Sequence, residues 1–266
     1  MEGPGVQVNI LFVGDISGRA GREAFHQHFL PAVERYRIDF TIANVENAAG
    51  GFGVTGPVIG EFFDAGVDVL TSGNHVWDRH DANHLLDSEP RLLRPANYPP
   101  PSPGNGLIIC RRRVPVPVAV INLQGRIFME SIDCPFQTVD RLLESEAREA
   151  KVTVVDFHAE ATSEKVAMGW HLDGRVSAVL GTHTHIQTAD ERVLSGGTAY
   201  ITDVGMTGPY DSVIGMRKDG ALERFITGRP RRLSAARGDA RFAAVVIEVD
   251  PETGRASGIR RLMESG

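Results

Sequence analysis

The sequence has little cysteine and no long apolar run. Only two of its 266 residues are cysteine, Cys110 and Cys134, which excludes a disulfide framework and a cysteine-rich zinc module. The first apolar run, residues 8–13, is far shorter than the roughly 20 residues of a membrane-spanning helix. It follows Glu2 rather than a basic segment, so it does not resemble a signal peptide. We therefore expect a cytoplasmic protein with no membrane partner.

Positive charge is also in deficit. The chain has 28 Lys+Arg against 34 Asp+Glu, which gives a formal net charge of −6 and disfavours a broad nucleic-acid-binding surface. Two arginine clusters, residues 111–113 (RRR) and 229–232 (RPRR), could contact RNA, but solvated surface is the favoured interpretation. RNA is thus a secondary candidate partner, and a homo-oligomer is left open. The nine histidines indicate that any metal site is built from nitrogen and oxygen ligands.

Apolar runs alternate with helical periodicities, which is typical of an α/β fold. Three βα steps within roughly the first 80 residues predict a parallel sheet. The later segments predict further strands and an antiparallel tail, and no repeat or linker divides the chain. We therefore predict one mixed α/β domain over residues 1–266. The predicted strands are 9–14, 39–43, 67–71, 107–110, 116–122, 152–156, 176–180, 198–202, 241–249 and 256–262, and the predicted helices are 21–36, 55–65, 135–150 and 163–169.

Polar residues follow five of the predicted strands. Ligands of open α/β sheets bind outside the carboxyl ends of the strands, so these residues should converge. Each alone has an ordinary explanation as a turn former, helix cap, loop residue or hydrogen-bonded histidine. Together they predict a metal site. His183 and His185 are two residues apart, so their side chains would face the same way if both lay within a strand. The candidates are Asp15, Glu46, Asn74, His158, His183 and His185.

Six candidates favour two metal ions over one. A catalytic zinc with an open position uses only three protein ligands. A carboxylate can bridge two ions roughly 3.5–4 Å apart, as it does in binuclear phosphatases and nucleases. Histidine and carboxylate ligands suit iron, manganese or zinc, and the ligand types alone do not choose between them.

The motifs, in this order along the chain, resemble those of the calcineurin-type metallophosphoesterases. They are Gly14-Asp15, a carboxylate after the second strand, Gly73-Asn74-His75, a lone His158, and residues 181–185 (GTHTH). The closer resemblance is to the YmdB-like group of that family. It rests on the strings GDISGRAGR, NVENAAGGFGVT, TSGNHVWD, FHAEATSEK and DVGMTGPYDSVIGM. The resemblance implies a mixed-sheet αββα sandwich.

The sequence departs from the wider family pattern at two positions. Ser17 stands where the first motif has a histidine, and Glu46 stands where the second has a bridging aspartate. Asn47 is the nearest replacement donor, and ligation through its amide oxygen is favoured over a hydrogen bond to Glu46. The resemblance then implies two divalent or trivalent ions, iron first, with manganese or zinc as alternatives. One would be bound by Asp15, Glu46, Asn47 and His185, and the other by Glu46, Asn74, His158 and His183.

His75 neighbours a predicted ligand, and the resemblance assigns it to catalysis. An imidazolium can protonate a leaving alkoxide near neutral pH. Asp78 could orient His75, or it could cap a helix starting near Trp77. The resemblance implies a hydrolase in which a metal-bound hydroxide attacks phosphorus, a phosphodiesterase acting on 2′,3′-cyclic nucleotides. The residues alone support only phosphoester hydrolysis.

Other interpretations remain open at this point. Two glycine-rich runs, residues 49–53 and 205–210, could frame the pocket or form simple turns, and Phe52 or Tyr210 could stack on a base or only pack. An amidohydrolase-type (β/α)8 barrel fits the length, but its H-x-H motif lies on the first strand and not late in the chain. A metal- and nucleotide-binding regulator with little turnover is the second alternative. The substrate-binding residues are unknown from the sequence.

Overall fold

The computed structural model describes residues 7–111 and 114–265. They form two β-sheets that face each other, with helices on the outer side of each sheet. Arg112 and Arg113 of the first arginine cluster lie outside the described residues. The strands are β1 (Val8–Val13), β2 (Asp15–Ile16), β3 (Phe40–Asn44), β4 (Val69–Thr71), β5 (Leu107–Cys110), β6 (Val118–Gln124), β7 (Val152–His158), β8 (Ala178–Thr182), β9 (Arg192–Val193), β10 (Ala199–Ile201), β11 (Met206–Pro209), β12 (Ala240–Val249) and β13 (Ala256–Ser265). The helices are α1 (Gly18–Arg35), α2 (Gly56–Ala65), α3 (Ala82–Ser88), α4 (Pro135–Glu144), α5 (Thr162–Leu172) and α6 (Lys218–Thr227), and a short 3-10 helix spans Asn74–Asp78.

Both sheets are mixed. The first has the order β2-β11-β12-β1-β3-β4, with β13 beside β12. In it, β1, β3 and β4 are parallel to one another, whereas β12 is antiparallel to both β1 and β13. The second has the order β5-β6-β7-β8-β10-β9, parallel from β6 to β10 and antiparallel at both edges. The predicted parallel first half and antiparallel tail are both confirmed.

The main core lies between the two sheets. Phe12 and Ile42 of the first sheet share a buried cluster with Val120, Val154 and Leu180 of the second. A second cluster packs α1 and α2 on the first sheet, and a third packs α4 and α5 on the second sheet. This arrangement is the αββα sandwich that the resemblance implied, and the (β/α)8 barrel interpretation is wrong because the strands form two open sheets.

Several elements differ from the sequence predictions. Strand β6 begins at Val118, after Pro115 and Pro117, and lies one strand in from the edge. Helix α4 ends at Glu144 rather than at residue 150, because the chain turns there. Helix α6 was not predicted, since it buries only Gly220 and Ala221 and has no apolar buried stripe. Among the described residues, no helix is both long enough and apolar enough to cross a membrane.

Candidate metal centre

The predicted ligands meet where the carboxyl ends of β1, β3, β4, β7 and β8 converge. Their ligand atoms form two groups, each within 4.8 Å: Glu46, His158 and His183 in one, and Asp15, Glu46 and His185 in the other. Glu46 is common to both groups, as a bridging carboxylate would be. Each group has one of the two predicted asparagine ligands beside it. Asn74 Oδ1 lies 3.1 Å from His158 Nε2, and Asn47 Nδ2 lies 3.2 Å from His185 Nε2. The groups have the membership that the sequence analysis assigned to two ions, and ligation itself stays a prediction.

Two buried oxygens make the site suited to cations. Asp15 Oδ1 and Asn47 Oδ1 have no hydrogen-bond partner among the described residues. Asn47 uses its Nδ2 group to donate to Glu46 Oε1 at 3.0 Å, so its amide oxygen is the atom left over. A buried acceptor without a partner is costly, and a metal ion would satisfy Asp15 Oδ1 directly, and Asn47 Oδ1 once its amide turned the oxygen to the side where Nδ2 faces Glu46 and His185. The donor set of carboxylates, imidazoles and amides fits the ions expected from the sequence.

Burial and mutual charge shift the pKa values of these groups in opposite directions. Burial raises the pKa of Asp15 against the effect of His185 and His158. Burial also acts to raise the pKa of Glu46, but the charge and hydrogen bond of His158 lower it well below its usual range. Burial acts to lower the pKa of His158, but Glu46 and Asp15 raise it to about 9. Burial and the neighbouring His158 lower the pKa of His183 to about 3, which keeps its ring neutral and able to ligate.

The hydrogen bonds around the three histidines set which ring nitrogen faces the centre. His158 Nδ1 donates to Thr182 Oγ1 at 2.9 Å, and Thr182 donates to Asp156 Oδ1 at 2.7 Å. Nε2 is therefore the ring nitrogen of His158 that faces the ligand group, and it could bind an ion in place of its proton. His185 Nδ1 donates to the carbonyl oxygen of Ile214 at 2.9 Å, which frees Nε2 in the same way.

Glu160 sets which ring nitrogen of His183 faces the ligand group. Its Oε2 lies 3.1 Å from His183 Nε2, while His183 Nδ1 faces His158 Nε2 at 3.0 Å. The ring can therefore donate to Glu160 and present Nδ1 to an ion. Glu160, Thr182 and Asp156 were not predicted from the sequence. The signal for Glu160 was its place in the FHAEATSEK string, whereas the other two are recognisable only from their contacts.

The expectation that His183 and His185 lie within a strand and face the same way is wrong. Strand β8 ends at Thr182, and both histidines have left-handed backbones, with φ of 97° and 66°. This turn directs the two rings into different ligand groups, so each would bind a different ion. Left-handed conformations are unfavourable for residues other than glycine, so surrounding contacts must hold the turn.

A buried ion pair supplies those contacts. Lys165 Nζ lies 2.7 Å from Asp203 Oδ2, and both side chains are almost completely buried. The same oxygen accepts hydrogen bonds from the amide and hydroxyl of Thr184, the residue between the two histidines. Asp203 Oδ1 accepts from the Gly205 amide at 2.8 Å. The pair therefore ties α5 and the segment after β10 to the turn that separates the two histidines.

Replacing Lys165 by methionine is expected to lower the free energy of unfolding by about 3–5 kcal/mol, because Asp203 is left buried without its cation. We also expect weaker metal binding, since the turn loses its anchor. Chemical denaturation and elemental analysis of the desalted protein measure both effects. Lys151→Met is the matched control, because that side chain is 59% exposed. Unchanged stability and metal content in the Lys165 variant would contradict the role of the pair.

Ser17, which stands where the wider family has a histidine, lies against two glycines. A Cβ on Gly215 would lie 3.0 Å from Ser17 Oγ, and one on Gly208 would lie 3.1 Å from Ser17 Cβ. The turn that carries Gly215 thus occupies the space that a larger side chain at position 17 would need. The same turn brings the Ile214 carbonyl to His185. The missing imidazole is therefore coupled to a loop placement that supports another ligand.

His75 lies beside the ligands and is partly exposed. Its Nδ1 is 2.8 Å from Asp78 Oδ2, and its backbone amide donates to Glu46 Oε2 at 3.1 Å. Phe52 packs edge-on against the imidazole, with ring centroids 4.9 Å apart. Asp78 is the last residue of the 3-10 helix, so it orients His75 and the helix-cap interpretation is wrong.

Four of the seven predicted ligands line a pocket of about 520 Å³. Glu46, Asn47, His75, His183 and His185 line it together with apolar residues from 213–233. The glycine-rich run 49–53 contributes Phe52, whereas Tyr210 does not line the pocket and lies under Arg241, 4.8 Å from the guanidinium carbon. The pocket therefore combines a polar ligand cluster, a candidate acid or base and an apolar side.

Comparisons with known proteins cover nearly the whole chain. A family model described as YmdB-like protein matches residues 11–262. A 2′,3′-cyclic-nucleotide 2′-phosphodiesterase of Bacillus subtilis (strain 168) is 45% identical over 96% of this chain and 97% of its own. A putative phosphatase/phosphodiesterase of Mycoplasma genitalium is 32% identical over 96% of this chain and 92% of its own.

Two solved structures have the same fold. A hypothetical protein from Thermus thermophilus superposes with a TM-score of 0.91 at 45% identity, covering 97% of this chain and 99% of that one. A structure titled as a novel phosphatase of Mycoplasma pneumoniae superposes with a TM-score of 0.93 at 30% identity, covering 98% of this chain and 95% of that one.

Proposed function

The chain belongs to the YmdB-like protein family, and on that premise we propose that it is a metal-dependent phosphodiesterase that hydrolyses 2′,3′-cyclic nucleotides. The 45% identity to a 2′,3′-cyclic-nucleotide 2′-phosphodiesterase over almost the full length of both chains supports the substrate class. The observation that carries the proposal is the position of Glu46. It is shared by two ligand groups and lines the same pocket as His75.

The roles of the side chains follow from this geometry. Asp15, Glu46, Asn47 and His185 would hold one ion, and Glu46 with Asn74, His158 and His183 would hold the other. When bound, such ions offset phosphate charge and lower the pKa of water. His75, fixed through Nδ1 by Asp78, lies at the pocket wall with a ring that can protonate the leaving alkoxide.

The remaining expectations belong to the same proposal. The chain would act as a single metallophosphoesterase domain over residues 1–266. Iron would be the first ion to test, with manganese or zinc as alternatives, because the nitrogen and oxygen donors accept all three. The small-molecule phosphodiester is the proposed partner. A cytoplasmic location, an RNA partner and a homo-oligomer stay predictions from the sequence.

Removing metal ions is the test of this proposal. We expect the metal-stripped protein to hydrolyse neither 2′,3′-cyclic AMP nor bis-p-nitrophenyl phosphate, and added Fe²⁺ or Mn²⁺ to restore turnover of both. Elemental analysis of the reconstituted protein is expected to find about two ions per chain. Release of p-nitrophenol from bis-p-nitrophenyl phosphate, and chromatography of the adenosine monophosphate formed from 2′,3′-cyclic AMP, measure the reaction.

The alternative outcomes separate the rival functions. Two bound ions without turnover of either diester would favour the metal- and nucleotide-binding regulator. A protein that takes up no transition metal after reconstitution would contradict the binuclear site. Turnover of bis-p-nitrophenyl phosphate alone would retain the phosphodiesterase but reject the cyclic-nucleotide substrate.

A further inference from the structure

One side of the pocket has no role in the proposed hydrolysis. It is formed by the turn 213–216, helix α6 and the segment that follows, and we call it the apolar wall. Phe225 is 79% exposed and Ile214 is 49% exposed, although both are large apolar side chains. Exposed apolar surface next to a polar site is a common mark of a binding surface. The members of the apolar wall are Val213, Ile214, Met216, Ala221, Phe225 and Leu233.

We propose that the apolar wall binds the base of the nucleotide substrate, and that Phe225 is the residue on which the base stacks. The inference rests on the proposed function, because it assumes that the phosphate lies at the ligand groups. The apolar wall lines one pocket of about 520 Å³ together with Glu46, Asn47, His183 and His185, and this volume is within the range of small-molecule sites. A nucleotide with its phosphate at Glu46 and His183 therefore has its base in the part lined by 213–233.

Phe225 suits this role better than Phe52, the other aromatic residue of the pocket. The Phe52 ring already packs against His75, with centroids 4.9 Å apart, so it supports the catalytic side. Within the described part of the chain, Phe225 pairs with no other ring, and its ring is free to accept a partner. Every base has a π face, so an aromatic platform gives affinity without strict base selection.

The neighbouring residues make the proposal specific. Arg224 also lines the pocket, and its guanidinium can donate to acceptor atoms on the edge of a base. Ile226, the next residue, is 82% exposed but does not line the pocket. Because both Phe225 and Ile226 are exposed, replacing either removes little packing from the core. The pair therefore allows a matched comparison on one helix.

The test compares two cyclic diesters with the metal-loaded protein. 2′,3′-Cyclic AMP has a base, whereas glycerol 1,2-cyclic phosphate has the same five-membered cyclic diester and no base. We expect Phe225→Ala to raise KM for 2′,3′-cyclic AMP about tenfold with kcat within about twofold, in the range of a lost base stack. KM for the glycerol diester should not change, and Ile226→Ala should behave as the wild type with both substrates.

Four results would overturn the proposal, three of them with the variants and one with the wild-type protein. Phe225→Ala could leave KM for 2′,3′-cyclic AMP unchanged, it could raise KM for both diesters equally, or Ile226→Ala could have the same effect as Phe225→Ala. Failure of the proposed function is seen separately, because the wild-type protein would then hydrolyse neither diester before any variant is made. A wild-type protein with equal KM for both diesters would keep the phosphodiesterase and reject the base site.

Discussion

Replacing Glu46 by glutamine is expected to remove both metal ions and to lower kcat/KM more than about 100-fold. Replacing a residue that only hydrogen-bonds a metal ligand already lowers metal affinity or activity by about 10–100-fold, and Glu46 would be a ligand itself. Glu46 is the residue common to the two ligand groups, and it is almost completely buried. Glutamine keeps the shape but loses the charge that compensates His158, and it adds an NH₂ group facing the ligands. Elemental analysis of the desalted protein and steady-state kinetics measure the two losses together.

A control variant separates this effect from a general loss of acidic charge. Glu252 is 83% exposed and far in the chain from the ligands, so Glu252→Gln should keep both ions and full activity. Circular dichroism and gel filtration should show that the Glu46 variant is folded. Retention of two ions by folded Glu46→Gln protein would exclude the bridging role.

Replacing His75 by alanine is expected to lower kcat by about 10²–10⁴-fold while the protein keeps its metal ions, because proton transfer by a positioned side chain contributes an effect of that size. The His75 ring is held by Asp78 and Phe52 and is not in either ligand group. Only its backbone amide contacts Glu46, and alanine retains that amide. Activity and elemental analysis on the same sample distinguish catalysis from ligation.

His80 provides the matched histidine control. Its side chain is fully exposed and outside the pocket, so His80→Ala should leave kcat unchanged. An unchanged kcat in the His75 variant would show that the leaving group needs no acid from this residue. Loss of an ion from His75→Ala protein would instead make His75 part of the metal site.

The sequence was informative about the site because the fold brings strand ends together. Asp15, Glu46 and His158 are far apart in the chain, but each follows or ends an apolar strand, and parallel strands present these ends at one edge. The alternation of apolar runs with helical periodicities was likewise enough to predict a mixed α/β domain, whereas the αββα sandwich was implied by the family resemblance. Element boundaries shifted by a few residues, since hydrogen bonding and not hydrophobicity ends a strand or helix.

The supporting contacts could not be predicted because they depend on distances across the fold. Asp203 and Lys165 look like ordinary loop and helix charges until α5 packs beside β8. Helix α6 escaped prediction because its apolar side chains face solvent and the pocket rather than a core. The split of His183 from His185 depends on two left-handed backbone angles, which no periodicity indicates.

The hydrogen bond from His185 to the Ile214 carbonyl joins the two halves of the pocket. Ile214 belongs to the apolar wall, and His185 belongs to a ligand group, so a nucleotide packed on the wall would also hold the carbonyl that orients the His185 ring, and we expect nucleotide and ion binding to be coupled. Thermodynamic linkage makes this coupling reciprocal: whatever factor the ions add to nucleotide affinity, the nucleotide adds to ion affinity. We therefore expect that, at equilibrium, removing the ions requires a higher chelator concentration when a non-hydrolysable nucleotide is present.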